Sequence, residues 1–199
     1  MNACAGVISE RDLFSLQRVD LVHLARTIRH AGRIETLVAL RSDIRLLVER
    51  MLAHGASSTQ ITQLVTLLND HTVCRVIELV LEELGDPGVP FSWLCFGSEG
   101  RREQTLHTDQ DNGIVFLCTD LMDRELTQLR LLDFARDVNA DLDRCGFPLC
   151  AGNIMASNPA LCLTLEEWEE KFAAWIRVPE PEALLNATIF FDFRSLYGK

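Results

Sequence analysis

The hydrophobic period of this chain changes once, and the change falls at Pro90. Before it, apolar residues recur three and four apart. Leu37, Leu40, Ile44, Leu47 and Met51 form one series. Ile61, Leu64, Val65 and Leu68 begin another, which Val73, Val76, Ile77, Val80 and Leu81 carry toward Leu84. Such spacing lays one apolar stripe along a helix. His54-Gly55 closes the first helix, and Ser57 followed by Gln60 has the form of a capping box opening the second. Gly85-Asp86-Pro87-Gly88 stops it. A shorter helix is expected from about Val19 to Arg29. Beyond Pro90 the pattern shortens. Phe91 to Phe96 and Asn112 to Leu117 have the length and composition of strands. Asp123 to Cys145 returns to helical spacing, and Phe147 to Ala156 reads as a further strand. Thr164 with Glu167 makes a second capping box, opening a helix that carries Trp168, Phe172 and Trp175 and breaks at Pro179 and Pro181. A last helix is expected from near Glu182 toward Tyr197. The fold class is therefore α+β: an N-terminal helical region, then a small mixed sheet flanked by helices.

Charge narrows the partners. With 19 Lys and Arg against 29 Asp and Glu, the net charge is −10. A general grip on nucleic-acid phosphate needs a basic surface, so it is not expected, whereas a few local donors suffice for a single nucleotide. No apolar run reaches the length of a membrane span, and the N-terminus lacks the basic and apolar regions of a secretory signal. The cysteines, Cys4, Cys74, Cys95, Cys118, Cys145, Cys150 and Cys162, are odd in number, contain no CxxC pair and lie partly within apolar runs. Buried free thiols in a reducing cytoplasm have this distribution, and no zinc site is expected.

The chemistry concentrates in one segment, Gly97-Ser98-Glu99-Gly100-Arg101-Arg102-Glu103-Gln104-Thr105-Leu106-His107-Thr108-Asp109-Gln110-Asp111, between two expected strands. A Gly-Ser turn that leaves a strand and opens a helix presents free backbone N–H groups, and the serine hydroxyl adds a donor, so Gly97 and Ser98 are candidates for holding phosphate. Arg101 and Arg102 lie within a turn of them, and Arg101 is the stronger candidate for a further phosphate contact. Asp109 and Asp111, spaced two apart at the start of a strand, point to one side. Two such carboxylates repel unless a cation lies between them, and Mg²⁺ suits oxygen ligands that bridge to phosphate. Phosphate donors beside a divalent-metal pair describe transfer chemistry at a nucleoside triphosphate, with Asp109 and Asp111 as catalytic metal ligands.

A Gly-Ser pair followed at this distance by Asp-x-Asp on a strand resembles the DNA polymerase beta-like nucleotidyltransferase superfamily. The longer string GSEGRREQTLHTDQDNGIVF resembles the nucleotidyltransferase family that follows CBS domains in bacterial signalling proteins, itself similar in this domain to the bacterial PII uridylyltransferase. GVISERDLF at residues 6 to 14 resembles the end of a CBS motif, and GNIMASNP (152 to 159) and FFDFRSLYG (190 to 198) match later segments of the family. The resemblance implies a CBS remnant at 1–15, a helical region at 16–88, a nucleotidyltransferase core at 89–180 and the start of a helical substrate-binding region at 181–199. It implies complete CBS domains upstream, ATP or UTP as substrate, Mg²⁺ as cofactor, and, if the relation to the uridylyltransferase extends to function, a protein acceptor. One departure matters. Many members of the superfamily carry a third carboxylate on a later strand, yet residues 148 to 158 contain no Asp or Glu, and Asp192 falls where a helix is expected.

Blander readings stand beside these. Asp109-Gln110-Asp111-Asn112-Gly113 resembles the start of a calcium loop, but Ile114 and Asp120 occupy the positions that need Gly and Glu. His107 reads as a loop residue. Trp168 and Trp175 read as core, the glutamates from 166 to 170 as first-turn charges, and Asp192 with Arg194 as a structural pair. The expected function is nucleotidyl transfer to an acceptor hydroxyl. The alternative is a non-catalytic module that binds nucleotide and regulates its CBS neighbours, and a homodimer through residues 34 to 84 is compatible with either.

Overall fold

Both capping boxes and every helical stripe expected in the first half are formed in a computed structural model, which describes residues 21–118, 124–177 and 188–198. Helix α1 covers 21–29 of these, α2 runs Ile34–Ala53 and α3 Ser58–Leu84. The Ser57 hydroxyl accepts from the Gln60 N–H at 3.3 Å, and the Gln60 side chain accepts from the Ser57 N–H at 2.9 Å. Leu37, Ile44 and Leu47 of α2 face Leu64, Val65, Leu68, Val73, Val76, Ile77 and Val80 of α3 in one buried cluster. Gly55 ends the first helix and Gly85 the second at φ +79° and +86°, in the left-handed region that favours glycine.

The sheet has the order β3-β2-β1-β4, with β1 at Phe91–Phe96, β2 at Asn112–Phe116, β3 at Cys162–Thr164 and β4 at Phe193–Gly198. β1 pairs antiparallel with β2 and with β4, while β2 and β3 run parallel. A parallel pair needs a crossover, and α5, Arg124–Arg144, supplies it. Side chains alternate across the sheet. Phe91, Trp93, Ile114 and Phe116 join the cluster of α3 and α5, whereas Leu94 and Phe96 join Trp168 and Phe190 on the other face, under α6 at Leu165–Arg177. The Thr164–Glu167 box opens α6, and the Trp168 indole donates to the Ile114 carbonyl at 2.9 Å. Trp168 is thus a core residue, and Trp175, partly buried, packs against the same cluster. Among the described residues no helix is long and apolar enough to cross a membrane.

Three expectations fail. Residues 147–158 form turns rather than a strand, because their backbone groups bond to one another and to the neighbouring motif: Asn153 donates to Cys150, and Gln110 and Asn112 donate to Pro148 and Ile154. Residues 193–198, expected as helix, form β4, because β1 offers them an open edge. Among the described residues, a helical turn at 188–190 precedes it. Asp192 and Arg194 do not pair with each other: Asp192 meets Arg101 at 2.7 Å, and Arg194 meets Asp70 at 2.6 Å. Cys4, Pro179, Pro181 and the expected CBS remnant lie outside the described residues. The other cysteines are free thiols, and Cys95, Cys145 and Cys162 are buried.

Candidate active site

β1 delivers the chain to the site and β2 delivers the carboxylates. The Phe96 N–H donates to the Asp111 carbonyl at 2.9 Å, so the end of β1 and the residue preceding β2 are fixed side by side. Gly97 follows at φ +54°, and a Cβ placed there would lie 3.7 Å from the Asp111 Oδ2. The turn therefore runs directly over the carboxylate. Gly97–Gly100 form the single turn α4, whose first N–H groups have no partner within the helix. The Arg101 and Glu103 N–H groups donate back to the Gly97 and Ser98 carbonyls at 3.0 and 2.8 Å.

The period of two in Asp109-Gln110-Asp111-Asn112 decides which side chains reach the site. Gln110 and Asn112 are buried, while Asp109 is exposed and Asp111 half-buried. The buried pair anchors the segment. Gln110 Nε2 donates to the Asn139 and Phe147 carbonyls at 3.0 and 2.7 Å. Asn139 Nδ2 donates to Gln110 Oε1 at 2.7 Å and to Asn112 Oδ1 at 3.1 Å, and Asn112 Oδ1 also accepts from the Ala156 N–H at 2.8 Å. This amide network ties α5 and the 147–157 loop to the motif, and sequence reasoning missed it. The available signal was the polar residues interleaved between the two aspartates.

The same loop brings in Cys150. Ligand atoms of Asp109, Asp111 and Cys150 all lie within 4.8 Å of one another. Burial raises the Asp111 carboxyl above its ordinary range, the neighbouring Asp109 charge raises it further, and a hydrogen bond from the Cys150 thiol opposes them. Burial likewise raises the Cys150 thiol, keeping it protonated as a donor. Among the described residues no Lys, Arg or His pairs with either aspartate. Two close carboxylates lacking a basic partner fit a hard divalent cation, and the neutral thiol does not suit Mg²⁺ as a ligand.

Arg101 is exposed and already held by Glu103 at 2.8 Å and Asp192 at 2.7 Å. Arg102 stands at φ +60°, and its carbonyl accepts the Thr66 hydroxyl at 3.2 Å. His107 is an exposed loop residue whose N–H donates to Thr105 Oγ1 at 3.3 Å. The sequence held one more carboxylate that its pattern concealed. Glu99 is only 4% exposed. Burial first, then Asp111 and Asp70, push its carboxyl up to about 8 against the opposing effects of Arg194 and a Gln104 hydrogen bond.

A strand, a Gly-Ser turn and paired aspartates just before the adjoining strand thus meet at one end of the sheet. Residues 42–182, more than half of the chain, match the family described as putative nucleotidyltransferase DUF294, and the chain belongs to that family. No curated protein and no solved structure matches it.

Proposed function

We propose that the protein is a Mg²⁺-dependent nucleotidyltransferase that moves a nucleoside monophosphate from ATP or UTP to an acceptor hydroxyl. The observation that carries this reading is the Asp109–Asp111 pair beneath the Gly97 turn, close together and lacking a basic partner. Asp109 and Asp111 would hold Mg²⁺. When bound, it would neutralise phosphate charge and stabilise the attacking and leaving oxygens. Gly97 leaves room for the triphosphate where a side chain would stand over Asp111, and Ser98 adds a hydroxyl donor. Arg101 reaches phosphate only by exchanging its contacts with Glu103 and Asp192. The acceptor hydroxyl oxygen bonds to the α-phosphorus and its proton passes to solvent, while the bond from that phosphorus to the α–β bridging oxygen breaks and pyrophosphate leaves with the electron pair.

The resemblance to CBS-linked proteins and the PII uridylyltransferase favours a signalling role and a protein acceptor; likeness of fold alone does not fix either. A second reading, a nucleotide-binding regulatory module coupled to CBS domains, is favoured by the 147–158 loop, which brings a thiol rather than a third carboxylate to the aspartates. Transfer of label from α-labelled ATP or UTP to protein or to a small acceptor separates the two. Transfer that is lost in Asp111→Asn supports the enzyme. Saturable Mg²⁺-nucleotide binding with no transfer to any acceptor supports the module.

A further inference from the structure

A cleft of about 300 Å³ lies between α2, α3 and the loop of residues 105–108. None of Gly97, Ser98, Asp109 and Asp111 lines it, so it is distinct from the candidate active site. Its charge runs against that of the molecule. The chain carries an excess of ten acidic groups, yet no Asp or Glu lines the cleft, whereas Arg41 and Arg45 do, Arg45 also meeting Glu49 at 2.9 Å. Leu37, Ile44 and Phe147 supply an apolar floor.

Two polar groups there can meet a ligand. Arg41 Nη1 donates to the Cys145 carbonyl at 3.0 Å and Nη2 to the Leu106 carbonyl at 3.1 Å, and the guanidinium lies 6.0 Å from the Phe147 ring centroid. Gly146, at φ +87°, leaves the space the guanidinium fills. A guanidinium has five N–H donors, so this one is oriented and still able to bind an acceptor. Asn69 is only 7% exposed and lines the cleft. An amide in the wall of a cleft can donate to and accept from whatever fills that cleft. The nearby hydroxyls do not compete for it: Thr72 donates to the Leu68 carbonyl at 2.8 Å, and Thr108 is bonded to the backbone of Thr105.

We propose that this cleft binds a small organic anion, with a carboxylate or phosphate head on Arg41 and Asn69 and an apolar body on Leu37, Ile44 and Phe147. The volume and the mixture of an apolar floor with a few fixed polar groups are those of a small-molecule site. The wall formed by residues 105–108 continues into Asp109, so filling the cleft fixes the loop that carries the first of the paired carboxylates. The proposal goes beyond nucleotidyl transfer and does not depend on it.

Benzoate and phenyl phosphate are suitable probes, with benzyl alcohol as the neutral control, titrated into the isotope-labelled full chain and followed by amide NMR shifts. Saturable shifts at Asn69, Leu106 and Phe147 are expected from the anions, with benzyl alcohol about tenfold weaker or worse. Whether benzoate or phenyl phosphate binds more tightly identifies the head group. Asn69→Asp places a carboxylate in the cleft and should weaken benzoate about tenfold or more. Arg45→Glu changes a side chain that is 74% exposed, so the fold should tolerate it, and it should weaken benzoate in the same direction. Saturating Mg²⁺-ATP should leave the benzoate shifts in place. Shifts centred on Gly97 and Ser98, displacement of benzoate by Mg²⁺-ATP, or unchanged affinity in a folded Asn69→Asp or Arg45→Glu chain would overturn the proposal.

Discussion

Glu99 is one residue beyond the serine of the turn, and its surroundings set the clearest pH dependence in the molecule. Its carboxyl is raised from an ordinary value of 4.5 to about 8, by burial first and then by Asp111 and Asp70. The fold thus favours the neutral form. Its contribution to stability is fully present below about pH 4.5 and is lost as pH rises through about 8. Glu99→Gln keeps a neutral group of the same shape. Relative to this variant, the parent should lose stability between pH 5 and pH 8, on the order of 3 kcal/mol. Urea unfolding at the two pH values measures it, and parallel behaviour of parent and variant would show that Glu99 ionises as freely folded as unfolded. That Gly97, Asp109 and Asp111 lie close together was legible in the sequence because it needs only a strand period and a turn. The sequence did not single out Glu99, Cys150 or the amides of Gln110, Asn112 and Asn139. Glu99 points inward only because α3 and β4 close over its turn, and Cys150 arrives on a loop that read as a strand.

At the scale of elements, α3 and β4 both support the region of the Gly97–Gly100 turn, but by different means. α3 contributes mainly packing, and Leu64 is 6% exposed within its stripe. Leu64→Ala should cost about 2–5 kcal/mol and leave turnover per folded molecule unchanged. β4 makes direct contact. A Cβ on Gly100 would run into the Asp192 carbonyl oxygen, and the Arg194 Nε donates to the Glu99 carbonyl at 3.0 Å. Gly100→Ala should therefore push the start of β4 off the turn, costing about 1–3 kcal/mol and weakening nucleotide binding as well. Denaturant titration and calorimetry on both variants make the comparison; weakened binding in Leu64→Ala, or unchanged binding in Gly100→Ala, would contradict it. The helices were legible because each is specified within its own stretch by stripe, cap and stop. β4 was not. Phe193, Ser195 and Gly198 are exposed and its partner β1 lies about a hundred residues earlier, so neither an apolar alternation nor a local turn announces a strand.

At the scale of the whole molecule, the sheet separates two apolar clusters, and the candidate site stands where β1 ends and β2 begins. Burial of the helices stabilises the fold, and the stability can absorb a local conflict at Asp109 and Asp111. That conflict predicts opposite movements of stability and function. Asp111→Asn removes one of two repelling charges and the burial penalty that raises the Asp111 carboxyl, so without metal the variant should be as stable as the parent or slightly more so. In the presence of Mg²⁺ and ATP the order should reverse. A ligand at about a hundred times its dissociation constant adds roughly 2.7 kcal/mol to the state that binds it, several degrees in Tm for a chain of this size. The parent should gain this and Asp111→Asn should not. Asp109→Asn should behave in the same way with a smaller metal-free gain, because Asp109 is exposed. If the carboxylates were instead structural, either change would lower stability with or without ligand. Thermal unfolding of the parent and both variants, with and without Mg²⁺-ATP, distinguishes the cases, and an equal gain in all three chains would remove Asp109 and Asp111 from the metal assignment.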